Sequence, residues 1–164
     1  MSAMGFRYPI LSSKCCACID RIAEHQKTIK ENLRHLDAAR GRSENDFLND
    51  KDALDATKYR LQTAIQAMMD ISNHLCARLN LVTTQDTGEC VRALQAQGFF
   101  PQDHATMYVK MIRFRNVLVH LYGEVDNKRV YGILENELDY FRMFLMEIDA
   151  VVEKPRQEKK GRKK

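Results

Sequence analysis

The sequence predicts an all-α protein, an antiparallel helical bundle of four long helices plus a short one. Apolar residues recur at steps of three, four and seven through four long segments. No segment alternates with period two over a useful length, and there is no internal repeat. Helix breakers are scarce, with 7 Gly and 3 Pro in 164 residues, while strong helix formers are plentiful.

The first segment, residues 15–40, places Ile19, Ile22, Ile29, Leu33 and Leu36 on one face, and Gly41 is its expected stop. The second runs from about Asp50 to Leu81 without an internal Gly or Pro. Leu54, Leu61, Ile65, Met68, Ile71, Leu75 and Leu79 mark its inner face, with Asp50 or Asp52 as the cap. A loop at Thr83–Thr87 leads to a short helix from Gly88 to about Gln97, with Cys90, Val91 and Leu94 inward. Pro101 is placed to open the next helix, roughly 102–121, with Met107, Met111, Phe114, Leu118 and Leu121 inward. Gly123, Asp126 and Asn127 make a turn before a last helix at about 129–152, whose core positions are Val130, Leu134, Leu138, Phe141, Leu145, Ile148 and Val152.

A chain of this length fits one domain, expected at residues 1–152, with a basic flexible tail at 153–164. The formal net charge of +4 is unevenly spread. The tail holds seven Lys/Arg and two Asp/Glu, so the remaining 19 basic and 20 acidic residues leave the body at −1. Such a tail either contacts RNA phosphates or only solubilises the chain. No run approaches a membrane span and residues 1–9 lack a signal-peptide core, so a cytoplasmic location and no membrane contact are expected. Five cysteines, three of them crowded at Cys15, Cys16 and Cys18, do not make a disulfide framework.

Phosphate-cradling glycine motifs and the H-E-x-x-H zinc motif are absent, so any chemistry must come from side chains on helices. The Cys15-Cys16-x-Cys18 cluster lacks the spacing of a structural zinc site and reads as ordinary thiols; no metal and no cofactor is expected. Asp70, Asn73 and His74, at i, i+3 and i+4, share a helix face. They either line a polar site or form a buried network that positions helices.

The segment Arg113-Phe114-Arg115-Asn116-Val117-Leu118-Val119-His120-Leu121-Tyr122 stands apart, because an apolar-faced helix here carries two Arg, an Asn, a His and a Tyr. Arg115 and Tyr122 are seven apart and share a face, whereas His120 lies about 140° round an ideal helix from Arg115. Either the helix deforms toward Gly123 or a second copy of the chain completes the site, as a twofold dimer would. An Arg and a His permit RNA cleavage without metal: the His moves protons, the Arg stabilises charge on the phosphate, and the 2′-hydroxyl is the nucleophile. The competing reading pairs Arg115 and His120 with acids such as Glu124 or Asp126 as mere helix caps. Spacing alone does not choose.

The string Arg115-Asn116-Val117-Leu118-Val119-His120-Leu121-Tyr122, followed by Glu124-Val125-Asp126, closely resembles the signature of HepT-type HEPN proteins: Arg, four residues, His, one residue, Tyr. Leu61-Gln62-Thr63-Ala64-Ile65-Gln66-Ala67-Met68-Met69-Asp70-Ile71-Ser72-Asn73-His74-Leu75 also resembles that family's second helix, and the likeness covers roughly residues 14–152. The resemblance implies a HEPN-like fold and a toxin that is a metal-independent ribonuclease, working as a homodimer with Arg and His of both chains at a shared cleft. It implies a neighbouring nucleotidyltransferase antitoxin of the MntA type, which silences the toxin by transferring AMP from ATP to the motif Tyr. By residue, Arg115 and His120 would be catalytic, Asn116 would support the site, and Tyr122 would accept AMP. The RNA cut is not specified by the sequence; tRNA is a family-level expectation. The alternative is a non-catalytic helical binding subunit that dimerises and docks a nucleotidyltransferase.

Overall fold

The computed structural model describes residues 16–82, 85–120 and 125–159, with side chains through residue 152. These residues form seven helices: α1 (Cys16–Ala39), α2 (Glu44–Asn49), α3 (Lys51–Arg78), α4 (Thr87–Ala96), α5 (Gln102–His120), α6 (Asn127–Asn136) and α7 (Asp139–Lys159). The four long helices are α1, α3, α5 and α7. Among the described residues there is no strand, and no helix is long and apolar enough to cross a membrane.

Helix ends follow local chemistry. Asp50, rather than Asp52, caps α3 by accepting from the Ala53 amide at 3.0 Å. Asp86 and Asp126 cap α4 and α6 in the same way. The α4 stop is Gly98, at φ +82, with the Phe99 amide reaching back to the Leu94 carbonyl at 3.1 Å. That left-handed turn suits a residue without Cβ. Asn80, at φ +50, does the same job after α3, where the Leu81 amide bonds the Cys76 carbonyl.

Two short helices depart from the expected pattern. The α2 helix has six residues, is capped by Ser43 and buries one residue, Phe47, so it is too short for a periodic signal. The expected last helix is divided into α6 and α7 at Glu137–Leu138. Leu134, Leu138 and Phe141 are all buried and keep a 4, 3 step across the break, which hides it from a periodicity reading. At the break, Glu137 takes both guanidinium nitrogens of Arg129, at 2.6 and 3.2 Å. The α7 helix then runs past residue 152 into the stretch that composition assigns to the tail.

The pairing of α1 with α3 is antiparallel: Cys18 meets His74 and His25 faces Asp70. On another side α1 is tied to α7, where Gln26 donates to Asp149 at 2.8 Å and Asp37 pairs with Arg142. The α6 helix docks on the α1–α2 connection, with Tyr131 donating to the Arg42 carbonyl at 2.8 Å and Gly41 donating to Glu135 at 3.0 Å. Ile22, Ile29, Leu36, Leu61, Ile65, Met68, Ile71 and Leu75 fill the α1–α3 seam, as the periodicity predicts. Each such burial contributes roughly 1.5–3 kcal/mol.

The orientation of α5 differs from expectation. Met111 and Leu118 are buried, but Met107 and Phe114 are only half-buried, and Ala105, Tyr108, Val109 and Ile112 carry the rest of the inner face. Tyr108 is fully buried in an aromatic cluster with Phe100 and Phe144, ring centroids 5.2 Å away in both cases. Leu121 lies outside the described residues.

Candidate active site

The C-terminal half of α5 brings Arg115 to the mouth of a groove between α1 and α3. Arg115 is half-buried, and with His25 and Thr28 of α1 and Gln66 and Asp70 of α3 it lines a cavity of about 240 Å³. Its Nε is buried with no hydrogen-bond partner, and its Nη1 donates to the Asn116 side-chain Oδ1 at 3.3 Å. Among the described residues no carboxylate forms an ion pair with Arg115. The guanidinium is therefore positioned without being neutralised, which is what an oxyanion or phosphate site requires.

His120 is the last residue of α5 and is exposed, as is Asn116. It does not line the Arg115 groove. The helix remains α-helical from Arg115 to His120, so within the described residues no deformation brings the two side chains to one face. Asp126, one of the two acids considered as a capping partner, is instead used by α6, accepting from the Lys128 amide at 2.9 Å. Glu124, the other, lies outside the described residues, as do Tyr122 and Gly123.

Asp70, Asn73 and His74 come together with Arg21 and His25 around a second cavity of about 370 Å³. They do not bond to one another. Asp70 accepts from the Gln66 amide at 2.9 Å and lies 3.8 Å from His25 Nδ1. Asn73 donates to Thr87 at 3.1 Å, and His74 Nε2 meets Cys18 Sγ at 2.8 Å. Burial, with the charges of Arg21, Arg78 and His25, holds the His74 ring below the usual imidazole range. Asn73 and His74 thus join helices, while Asp70 faces an open groove.

Of the N-terminal cysteine cluster, Cys16 is exposed, Cys18 is buried against His74, and Cys15 lies outside the described residues. Among the described residues no three His, Cys, Asp or Glu side chains are grouped as metal ligands.

Two arrangements escaped the sequence reading. Arg21, His25 and Gln66 complete the groove, but each looks like an ordinary solvated position on its own helix. At the other end of α5, Tyr108 donates to Glu147 Oε2 at 2.6 Å while His104 holds Oε1. This pins the start of α5 to α7, far along the helix from Arg115.

Comparison with known proteins adds the family. The ribonuclease HepT-like family profile matches residues 29–148, well over half of the chain. The chain belongs to the ribonuclease HepT-like family. The matched span contains Arg115, Asn116, His120 and the whole α3 wall of the groove, but begins after Arg21 and His25. The mRNA nuclease HepT of Shewanella oneidensis is 26% identical over 131 residues, covering 80% of this chain and 98% of that protein. The solved structure of a tri-AMPylated Shewanella oneidensis HEPN toxin in complex with MNT antitoxin is similar at a TM-score of 0.74 and 26% identity, over 80% of this chain and 98% of that one. YutE, a cytosolic protein of unknown function from Bacillus subtilis, has a TM-score of 0.68 at 14% identity, over 80% and 90% of the two chains, and shares the fold alone. The all-α HepT-like architecture expected from the motif and the second helix is thus the observed one.

Proposed function

We propose that this HepT-like chain is the toxin of a toxin–antitoxin pair and a metal-independent endoribonuclease that acts as a homodimer. The observation that carries this is the half-buried Arg115 guanidinium, unpaired with any described carboxylate and set in a polar groove, on the same helix as an exposed His120. In the reaction, the 2′-oxygen attacks the adjacent phosphorus as its proton is removed. The bond from phosphorus to the 5′-oxygen breaks, and that oxygen is protonated as it leaves. The products are a 2′,3′-cyclic phosphate and a 5′-hydroxyl. Arg115 stabilises charge on the non-bridging oxygens, His120 transfers protons, and Asn116 steadies Arg115 through its side-chain oxygen. The separate outlooks of Arg115 and His120 support a site composed of groups from two chains.

The similarity to a tri-AMPylated toxin bound to an MNT antitoxin supports silencing by a nucleotidyltransferase partner. The Tyr122 phenolic oxygen would attack the α-phosphorus of ATP, pyrophosphate would leave, and the attached phosphate would compete for the cation that binds RNA.

The test is cleavage of RNA by purified protein in the presence of EDTA. Activity is expected, with a cyclic phosphate product, and it should fall by at least about a hundred-fold in Arg115→Ala and in His120→Ala. Equal activity in wild type and both variants would indicate a contaminating nuclease and return the chain to the reading of a non-catalytic binding subunit. For the modification, incubation with the partner and ATP should add AMP mass to wild type and not to Tyr122→Phe.

A further inference from the structure

The groove that Arg115 enters continues beyond it. Its two cavities, of about 240 and 370 Å³, share His25 and Asp70 as a common wall. Arg115 stands in the first and Arg21 in the second, so two guanidinium groups flank a polar middle. Along α3 the lining runs from Gln62 to His74, a length of about 18 Å at 1.5 Å per residue. Cation, hydrogen-bonding middle and cation is the complement of a short stretch of nucleic acid strand, with backbone phosphates at its ends and bases between.

The polar middle is arranged to read an edge. Gln66 occupies Asp70 Oδ1 at 2.9 Å and so fixes the carboxylate. Asp70 Oδ2 has the His25 ring 3.8 Å away, too far for a hydrogen bond. Asp70 thus offers a carboxylate acceptor on the groove wall, with an imidazole beside it. It is not a metal site, because no three ligating side chains among the described residues converge there. A carboxylate acceptor suits the exocyclic amino group of cytosine, adenine or guanine and repels the carbonyl oxygen that uracil presents in its place. An exposed base edge requires an unpaired strand.

We propose that the α1–α3 groove is a subsite for single-stranded RNA, in which Arg115 and Arg21 hold phosphates toward its two ends and Asp70, with His25, selects a base carrying an amino group. This rests on the ribonuclease reading and adds to it a substrate class and a specificity residue. Arg21 and His25 precede the span matched by the family profile.

The experiment uses the full chain and short unstructured oligonucleotides with a single cleavable ribose, varied at the bases on either side. A parallel set carries 2′-O-methyl groups throughout and reads binding without cleavage. Wild type is expected to favour an amino-bearing base over uracil at one flanking position by about ten-fold or more in kcat/KM. Asp70→Asn should lose most of that preference and bind the amino-bearing 2′-O-methyl strand about ten-fold more weakly. Arg21→Ala should weaken binding to every strand alike and flatten its salt dependence. His25→Gln, on the other helix, is the second probe of the same wall, and thermal melting verifies that each variant folds. Cleavage with unchanged base preference and affinity in both Asp70→Asn and His25→Gln overturns the subsite and leaves the ribonuclease standing. Base-dependent binding without cleavage, lost in Asp70→Asn, supports the subsite and removes the ribonuclease. Neither cleavage nor binding overturns both.

Discussion

Arg115 and His120 belong to one unbroken helix yet have different surroundings: Arg115 is half-buried in the α1–α3 groove, and His120 is exposed at the helix end. A reacting phosphate cannot bridge them along the helix without help, since an ideal helix sets them about 140° apart. A site that takes Arg115 from one chain and His120 from its partner makes a direct prediction. Arg115→Ala and His120→Ala chains, each inactive, should recover activity when unfolded and refolded together. Random pairing makes half of the dimers mixed, and each mixed dimer keeps one intact site of two, so about a quarter of wild-type activity is expected. Activity no higher than that of the separate variants would place both groups of each site on a single chain or demand all four at once.

The start of α5 is held by chemistry of a different kind. Glu147 accepts from Tyr108 at 2.6 Å and binds His104, so one α7 carboxylate satisfies two α5 side chains. Tyr108 is fully buried, and burial together with Glu147 pushes its hydroxyl well above the usual phenol range, so it stays a donor. Glu147→Ala strands the buried hydroxyl and should cost about 1–3 kcal/mol of unfolding free energy in urea. Tyr108→Phe leaves Glu147 its histidine and should cost about 1 kcal/mol. A Glu147→Ala midpoint equal to wild type would mean that water replaces the carboxylate. Both variants should retain cleavage, because the cluster lies at the far end of α5 from Arg115.

What was legible in the sequence was local. Leu54 through Leu75 repeat along one helix, Asp50 caps the residue three places on, and Arg115, Asn116 and His120 are neighbours in the chain. Family membership followed from such strings. What was not legible depends on residues distant in sequence. The facing of His25 and Asp70, the bond between Cys18 and His74, and the use of Glu147 by Tyr108 arise from the angle at which helices pack, which no single helix records. Tyr108 is an example: its burial depends on a carboxylate of another helix that accepts from its hydroxyl. The division of α6 from α7 was hidden because Leu134, Leu138 and Phe141 keep their step across it.

His74 supplies a prediction about pH. It meets Cys18 across α1 and α3 at 2.8 Å and is surrounded by Arg21 and His25 of α1 and by Asp70 and Arg78 of α3. Burial and the nearby positive groups lower its pKa in the folded chain from 6.5. The unfolded chain therefore takes up the proton first as pH falls. The stability that goes with a neutral His74 is complete above about 6.5 and is lost as pH drops toward the folded-state pKa. Urea unfolding should accordingly show a shallower decline between neutral pH and pH 5 in His74→Gln than in wild type. The comparison with wild type separates His74 from the four other histidines of the chain. Identical slopes would remove His74 as a source of acid sensitivity.

Thiol reactivity offers a test of the packing of α3 on α4. Cys76 and Cys90 are both buried, and burial together with the neighbouring Cys76 thiol pushes Cys90 up to about 12. A thiol so placed has almost no thiolate at neutral pH, whereas Cys16 is exposed. Brief treatment of the folded protein with iodoacetamide near pH 7.5, followed by peptide mass spectrometry, should label Cys16 at least about ten-fold faster than Cys90. Denaturant should abolish the difference, since an unfolded chain gives each thiol its ordinary pKa near 8.5. Equal labelling in the folded state would show that α4 opens readily from α3, and the Asn73–Thr87 bond at the start of α4 would then be the first contact to break.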